Sequence, residues 1–433
     1  MVLASVPLAL ASIAIGTTAL IVESYTYTYL VIVSFLLVQI FAFNNITHRL
    51  VAGIFLAYLS IALLNISSYR NYISSETINI YLVFVLCLFI PIMIVSGGGG
   101  KDQYEYRPGR LTGIFIVGHL AITWVALAYV YSRFGIVAVE QDERFGIPTA
   151  ISYIIRSAQF IPAYMVICRS LREFPLGFWP ITFLSIAPSI LIASRSTAVL
   201  AVLAIVLIIL ALEDYRWVKP SFASSPSLKP RSTAPLLLMI LGVASITFIG
   251  GGFYVRRASS PQLIDGTEFV QEYLQSLPAA VAYVLAPFHQ GFNEASALTS
   301  RIVDYGIENT FTGIPLLWAD FANLLGTDTT SAAQYFGDSI GRTQAGGLTP
   351  GLVGGVLLDF PTTYALWFLG IGILSAILFL KSRYDRRFLC IYAIFVTQLV
   401  HLFQRGFLKP EYLTIMLIAA VYLATFEREP RSG

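Results

Sequence analysis

Charged residues are scarce in this chain of 433 residues, because Asp, Glu, Lys and Arg together make up only 12% of it. A soluble domain carries about 25%. Hydrophobic residues make up 57% of the chain, and the mean hydropathy is +0.75. Many apolar runs reach roughly 20 residues, the length of a helix that crosses a bilayer. The composition therefore excludes an ordinary soluble enzyme and predicts an all-α polytopic membrane protein.

Cysteine and the common catalytic motifs are also scarce or missing. Cys87, Cys168 and Cys390 fall within predicted spans or near their cytoplasmic ends, so we expect no disulfide framework outside the membrane. The chain lacks the HExxH, GxSxG and GxxxxGK[ST] patterns of metalloproteases, hydrolases and phosphate-binding loops. We therefore expect no metal, no cofactor and no nucleic-acid partner.

The apolar runs predict about twelve transmembrane helices in one integral membrane domain, 1–433. Basic clusters such as 101–110 and 381–387 lie between alternate runs, and cations prefer the cytoplasmic side of a membrane. Both termini are therefore predicted to be cytoplasmic, in a multi-pass protein of the cytoplasmic (inner) membrane. The predicted spans are 2–22, 27–43, 50–65, 79–96, 112–131, 150–168, 178–194, 196–213, 234–253, 351–380, 388–404 and 410–426.

One predicted outer loop, residues 254–350 between spans 9 and 10, is far longer than the others. Loops of this length are seldom simple connectors. Phe269, Tyr273 and Leu277 recur at helical spacing. We therefore expect a helical extracytoplasmic subregion, made of short helices that lie over the membrane mouth.

Arginine is enriched on the predicted outer face. Of the 27 Lys and Arg residues, 16 lie on the predicted cytoplasmic side, and of the other 11, 10 are Arg and one is Lys409. A protein that follows the positive-inside rule keeps cations off the outer face. Because the planar guanidinium binds phosphate or carboxylate with two hydrogen bonds, this face is predicted to hold an anion.

Two outer junctions carry the first candidates for binding that anion. Arg195 stands in the sequence ASRST between spans 7 and 8, where Ser194 or Ser196 can cap the next helix beside the guanidinium. Arg405 stands in the sequence FQRGF, in the short hairpin between the last two spans. Each could instead be a snorkelling anchor at a helix end.

A third candidate, Arg156, lies about two turns into span 6. An arginine at that depth normally faces a cavity or a partner, so either a substrate contact or a structural ion pair is expected. Its candidate neighbours are Glu143, Arg144 and Asp359. Within the large loop, Arg257 and Arg342 are further candidates for contact with the anion.

Three residues are candidates for a general base. His289 and Glu294 lie five residues apart in the large loop, and His401 precedes Arg405 by four residues. His401 and Arg405 share a helix face if span 11 extends that far. Histidine qualifies by its ordinary pKa, and a glutamate qualifies if it is desolvated.

His119 lies in the middle of span 5. It is predicted to be a hydrogen-bonded packing residue and not a candidate base.

Three stretches together resemble the bacterial oligosaccharide repeat-unit polymerases, the O-antigen polymerase (Wzy-type) family. They are 193–197 (ASRST) running into an aliphatic span, 347–360 (GLTPGLVGGVLLDF) and 403–407 (FQRGF). The layout of many spans with one large, late outer loop is similar too.

The resemblance implies a GT-C-like glycosyltransferase that moves a growing glycan from undecaprenyl pyrophosphate to a carrier-linked repeat unit on the outer face. Arg195 and Arg405 match its arginine-bearing positions and would hold the pyrophosphate. The chain departs from GT-C enzymes that place an acid in a long first outer loop, because that loop here is only about 23–26. The implied partners are undecaprenyl-pyrophosphate-linked oligosaccharides and membrane lipids, with a chain-length regulator as a further candidate.

Three alternatives stay open. One is an accessory membrane protein whose loop only binds partners, against which the arginines at predicted outer helix ends argue. A ligase of the O-antigen type shares the donor and the chemistry but moves finished glycan to another acceptor. A transporter or flippase of lipid-linked sugars predicts charged residues along several spans and pseudo-symmetric halves. The clustering of ionisable residues at one face and in one loop favours a transferase.

Overall fold

The computed structural model describes residues 2–43, 45–65, 73–96, 104–135, 147–192, 195–214, 277–307, 321, 349–406 and 408–430. It is mostly helical (82%). Five described helices are long and apolar enough to cross a membrane, and five other apolar helices or helix segments have 10–17 residues. The chain is therefore a largely helical protein with the apolar helices of a membrane protein, as its composition predicts.

The first nine helices and the first strand cover the N-terminal half of the chain. They are α1 (Val2–Val22), α2 (Tyr25–Ala42), α3 (Ile46–Ala62), α4 (Ser75–Ser96), β1 (Tyr104–Pro108), α5 (Arg110–Phe134), α6 (Thr149–Ala158), α7 (Ile161–Val166), α8 (Phe178–Leu191) and α9 (Arg195–Asp214). A single 3₁₀ turn, Leu171–Glu173, lies between α7 and α8. The remaining described elements are α10 (Ala279–Tyr305), α11 (Gly351–Asp359), α12 (Tyr364–Ser382), α13 (Arg386–Arg405), α14 (Pro410–Ala424) and β2 (Phe426–Pro430).

The chain divides into two compact units, and unit 1 comprises Met1–Gly98, Pro235–Ala376 and Val400–Lys409. In unit 1, α3 packs against α2 and α10, α4 packs against α1, and α10 packs against α11. Helix α10 falls inside the predicted loop 254–350. It has 27 residues, so this part of the loop is one long helix where the sequence predicts short ones.

Polar side chains of α10 cap the C-terminal end of α3. The carbonyl of Ala62 accepts hydrogen bonds from Asn293 and Ser296, each 2.7 Å long, and the carbonyl of Leu64 accepts one of 2.7 Å from His289 Nε2. The last carbonyls of a helix have no partner within the helix, and leaving them unpaired inside a protein is costly. The polar face of α10 is thus explained by the helix end that it covers.

Unit 2 comprises Gly99–Ala234, Ile377–Leu399 and Pro410–Gly433. Its apolar core includes the buried side chains of Leu127, Val130, Ile155 and Ile192. His119 of α5 bridges two other helices, with Nδ1 3.1 Å from the Tyr422 hydroxyl and Nε2 3.0 Å from the Ser157 hydroxyl. The prediction that His119 is a hydrogen-bonded packing residue is confirmed.

Two predicted spans are wrong as continuous helices. Span 150–168 is divided into α6 and α7, and span 351–380 is divided into α11 and α12. Pro162 lies in the first turn of α7, where the missing N–H costs nothing, but it cannot donate to a preceding helical turn. Pro361 disfavours helical geometry at the residue before it, and Phe360 has a φ of −139°.

A small antiparallel sheet pairs β1 with β2, with Tyr106 opposite Arg428. The sequence analysis did not predict it. Asp385, at the turn between α12 and α13, accepts a hydrogen bond of 2.7 Å from the Tyr106 hydroxyl and pairs with Arg387 at 2.8 Å and Arg428 at 3.6 Å. One carboxylate therefore connects both strands to the turn.

Replacing Asp385 by alanine is expected to lower the stability of the protein by about 1–3 kcal/mol, because the Tyr106 hydroxyl and Arg387 lose their shared acceptor. The measurement is the shift of the thermal unfolding midpoint in detergent. Glu429→Ala is the matched control. Its pair with Arg107 is 42–43% exposed, so its loss should cost less than about 0.5 kcal/mol. Equal shifts for the two variants would contradict the proposed role of Asp385.

Candidate functional site

The end of α13 carries Arg405 and is held in place by an aromatic cluster. The Phe403 ring lies 5.1 Å from the Phe84 ring, 5.2 Å from the Tyr58 ring and 5.8 Å from the Tyr81 ring, measured between centroids. Such aromatic pairs contribute roughly 0.5–1.5 kcal/mol each beyond the area they bury. Because Phe403 is fixed in this cluster, Arg405 emerges at a defined place, with its side chain exposed.

Two glycines let the chain after α13 approach the start of α11. Gly406 has a φ of +85° and Gly351 a φ of +72°, values that side-chain-bearing residues rarely adopt. A Cβ on Gly406 would lie 2.7 Å from the Gly351 carbonyl oxygen, and a Cβ on Gly351 would lie 2.6 Å from the Phe403 carbonyl oxygen. This backbone contact joins two of the three stretches that carry the family resemblance.

Gly406→Ala is expected to displace the end of α13 and to reduce whatever activity depends on Arg405, on the order of tenfold or more, because misplacement by about 1 Å can cost a hundredfold. The measurement is activity at matched protein level. Gly53→Ala is the control, since a Cβ at Gly53 meets nothing within 4 Å and alanine favours a helix. Normal activity of Gly406→Ala would show that the close approach does not position Arg405.

A carboxylate and a guanidinium act on the same buried hydroxyl in unit 1. Glu294 of α10 and Arg405 of α13 both lie within electrostatic range of the Tyr58 hydroxyl. Both charged side chains are exposed. Among the described residues, neither has a hydrogen-bond or ion-pair partner, so both charges are available to a ligand. Two predicted residues that are far apart in sequence therefore influence the same hydroxyl.

The two predicted histidines of unit 1 are buried. His401 is 6% exposed and lies on α13 four residues before Arg405, so the predicted shared helix is confirmed. His289 is fully buried, and its Nε2 donates to the Leu64 carbonyl. Burial lowers the pKa of His289 below its ordinary value of 6.5, so the ring is neutral at pH 7. This geometry favours a helix-capping role for His289. Glu294 is exposed, so it meets the requirement of a desolvated base only when a bound substrate excludes water from it.

Arg156 in unit 2 has a partner that the sequence analysis missed. Its Nη1 lies 2.8 Å from Oε2 of Glu411, whose side chain is only 1% exposed. Glu411 is the second residue of α14, which begins at Pro410. The partner of Arg156 is therefore not Asp359, one of the three candidate neighbours, and the other two, Glu143 and Arg144, lie outside the described residues. The available signal was that Glu411 is an acid inside the predicted span 410–426, where an ionisable residue normally has a partner.

The other predicted anion-binding residues are Arg195, Arg257 and Arg342, and the structure describes none of their side chains. The backbone of Arg195 forms the first residue of α9, which agrees with a helix start at the ASRST junction, but its side chain lies outside what the structure describes. Arg257 and Arg342 also lie outside the described residues. The candidate-site residues with described, exposed side chains are therefore Glu294 and Arg405, both within electrostatic range of the buried Tyr58.

Comparison with known proteins gives no family model, no curated protein and no solved structure that matches this chain.

Proposed function

We propose that this chain is a polymerase of lipid-linked oligosaccharides, a glycosyltransferase with a GT-C-like fold of about twelve spans. It transfers a glycan from undecaprenyl pyrophosphate to a carrier-linked repeat unit at the outer face of the cytoplasmic membrane. The observation that carries the proposal is that Arg405 and Glu294 are both exposed, both lie within electrostatic range of the Tyr58 hydroxyl, and form no ion pair with one another. The sequence resemblance of 193–197, 347–360 and 403–407 to the O-antigen polymerase family supports it.

Each residue of the pair has a separate task in this chemistry. As the bond between the anomeric carbon and the pyrophosphate oxygen breaks, negative charge grows on the leaving group, and Arg405 stabilises it there. Glu294 accepts the proton of the acceptor hydroxyl, whose oxygen attacks the anomeric carbon from the opposite face. The products are an extended glycan with inverted configuration and free undecaprenyl pyrophosphate.

The pairing of β1 with β2 supports the proposed topology. Residues 104–108 and 426–430 must lie on the same side of a membrane because they share backbone hydrogen bonds. The proposed topology puts both segments, and both termini, in the cytoplasm. Arg405 and Arg195 then lie at the outer ends of their helices, on the side where the proposed transfer takes place.

One observation favours a transporter as the second candidate. Discontinuous helices such as α6 with α7 and α11 with α12 are typical of secondary transporters, where the interrupted backbone lines a substrate path. In that interpretation the ion pair of Arg156 and Glu411 would lie beside the interrupted backbone between α6 and α7, all within unit 2. The test must therefore separate movement of a lipid-linked sugar from transfer of its glycan.

The test is a gel of surface and carrier-linked glycans from a strain that lacks this chain, complemented with the wild-type gene or with Arg405→Ala. A polymerase predicts single repeat units on the final acceptor and loss of the ladder in both the deletion and the variant. Full-length polymer left on its lipid carrier would indicate a ligase. Repeat units trapped on the cytoplasmic leaflet would indicate a flippase.

A further inference from the structure

Unit 1 contains a second candidate site, a cavity of about 310 Å³ apart from the Glu294–Arg405 pair. It lies among the C-terminal ends of α1 and α10 and the N-terminal ends of α4 and α12, together with α11. Most of its wall is aliphatic, for example Leu20, Ile80 and Ile307. Three polar side chains interrupt this wall: Glu76, Asn79 and Tyr364. Pockets that bind small molecules have this combination of apolar wall and few polar groups.

The three polar side chains line one cavity, and the helices that carry them do not need these polar groups for their own stability. Glu76 and Asn79 lie three residues apart on one face of α4. Glu76 and Tyr364 both line the cavity, and the Glu76 carboxylate lies within electrostatic range of the Tyr364 hydroxyl. An acid in the first turn of a helix is ordinary by itself. Its convergence with an amide and a phenol is what suggests a ligand.

The hydrogen-bonding capacity of the three groups is largely unused. Thr28 donates to Asn79 Oδ1 at 3.0 Å, which fixes the amide and leaves its NH₂ as a donor. Among the described residues, nothing donates to the Glu76 carboxylate or hydrogen-bonds with the Tyr364 hydroxyl. The cavity therefore offers a carboxylate acceptor, an amide donor and a phenol that can do either.

The three polar groups of the cavity disfavour the pyrophosphate of the proposed substrate and favour its sugar. An unpaired carboxylate repels pyrophosphate, which belongs beside Arg405. A sugar hydroxyl donates to a carboxylate and accepts from an amide or phenol, while the C–H face of the ring packs against aliphatic side chains. A purely isoprenoid ligand would leave the Glu76 carboxylate, the Asn79 NH₂ and the Tyr364 hydroxyl without a partner.

The cavity also lies at a suitable distance from the proposed base. Ile302, in its wall, follows Glu294 on α10 by eight residues, and a helix rises 1.5 Å per residue. The two places are therefore roughly 12 Å apart along the helix. A glycan of a few sugar units, held at one end in the cavity, can present a hydroxyl at the other end to Glu294.

We propose that the cavity lined by Glu76, Asn79 and Tyr364 is a subsite for a neutral sugar of the acceptor repeat unit. This assignment rests on the proposed function. The subsite holds the acceptor through sugar hydroxyls, and Arg405 holds the donor through its pyrophosphate. Glu76 and Tyr364 touch the acceptor away from the reacting atoms, so they determine its affinity and not the chemical step.

The test compares Glu76→Gln, Tyr364→Phe and the double variant with wild type in full-length protein reconstituted in lipid nanodiscs. Both substitutions keep the shape of the side chain, and thermal unfolding checks that each variant is folded. The first probe is the repeat-unit oligosaccharide released from its carrier by mild acid. The second probe is undecaprenyl pyrophosphate. We expect the double variant to bind the oligosaccharide about tenfold or more weakly and the carrier lipid as wild type does. Arg405→Ala should show the reverse.

Steady-state transfer identifies which glycan occupies the subsite. The KM for an unextended lipid-linked repeat unit, the acceptor, should rise tenfold while kcat and the KM for a polymer-bearing donor stay within twofold. A rise confined to the donor KM would overturn the acceptor assignment, and weaker binding of the carrier lipid would identify an isoprenoid site. Unchanged oligosaccharide binding would refute the subsite even if Arg405→Ala abolishes polymer. Absence of polymer with wild-type protein would refute the proposed function itself.

Discussion

Replacing Arg405 by alanine is expected to reduce polymer formation by about 10²–10³-fold, the usual effect of removing one fixed donor that stabilises a developing charge. Arg405 is exposed at the end of α13 and has no partner among the described residues, so its loss leaves no buried charge unpaired. The folded state should therefore be nearly unaffected. Arg405→Lys should have an intermediate rate, because lysine keeps the charge but not the two parallel hydrogen bonds.

The matched control is Arg301→Ala, which removes an equally exposed arginine from α10. Its polymer yield should stay within twofold of wild type. The measurement is incorporation of labelled repeat units into polymer, normalised to the amount of folded protein. An Arg405→Ala protein that polymerises normally would remove the main support for the proposed function.

Replacing Arg156 by methionine is expected to destabilise the protein by about 3–5 kcal/mol, because it leaves the carboxylate of Glu411 buried and uncompensated. That carboxylate is 1% exposed and 2.8 Å from the guanidinium. The double variant Arg156→Met, Glu411→Met should recover most of the loss, since both charges are then absent. Thermal unfolding in detergent measures both variants against wild type.

Activity of the double variant separates the two interpretations of Arg156. If the ion pair only stabilises unit 2, a stable double variant should polymerise within tenfold of wild type. If Arg156 binds the pyrophosphate, the same protein should be stable and inactive. The 2.8 Å contact with Glu411 favours the first outcome.

The helices could be predicted largely from the length of apolar runs, because that signal is local. The prediction that His401 and Arg405 share a helix succeeded for the same reason. The divisions at 159–160 and 360–363 were missed because apolarity continues through them. At these places only the prolines indicate that the helix is interrupted. Pro162 lacks a backbone N–H, and Pro361 disfavours helical geometry at the residue before it.

Long-range contacts could not be predicted in this way. The partner of Arg156 is Glu411, and the partner of β1 is β2, each on a distant part of the chain. The sequence around one partner does not identify the other. Many acidic residues could pair with an arginine, and many short segments could pair with a given strand. The burial of His289 was missed for a related reason. Its partner is a backbone carbonyl at the end of α3, which has no sequence signature.

The candidate site contains residues that a local signal predicted and contacts that it could not predict. Arginine at outer helix ends is a compositional signal, and it led to Arg405. That Arg405 and Glu294 both act on Tyr58 depends on where α10 and the end of α13 lie relative to α3, which the sequence does not show. The polar cavity of unit 1 was missed altogether, because Glu76, Asn79 and Tyr364 are unremarkable until the fold brings them together.

Reconstitution of the purified protein with undecaprenyl-pyrophosphate-linked repeat units as the sole substrate tests the central claim most directly. The proposed function predicts a ladder of carrier-linked polymers with stoichiometric release of undecaprenyl pyrophosphate, and loss of both products with Arg405→Ala. Movement of the intact lipid-linked unit across the bilayer without any ladder would contradict it and identify a transporter.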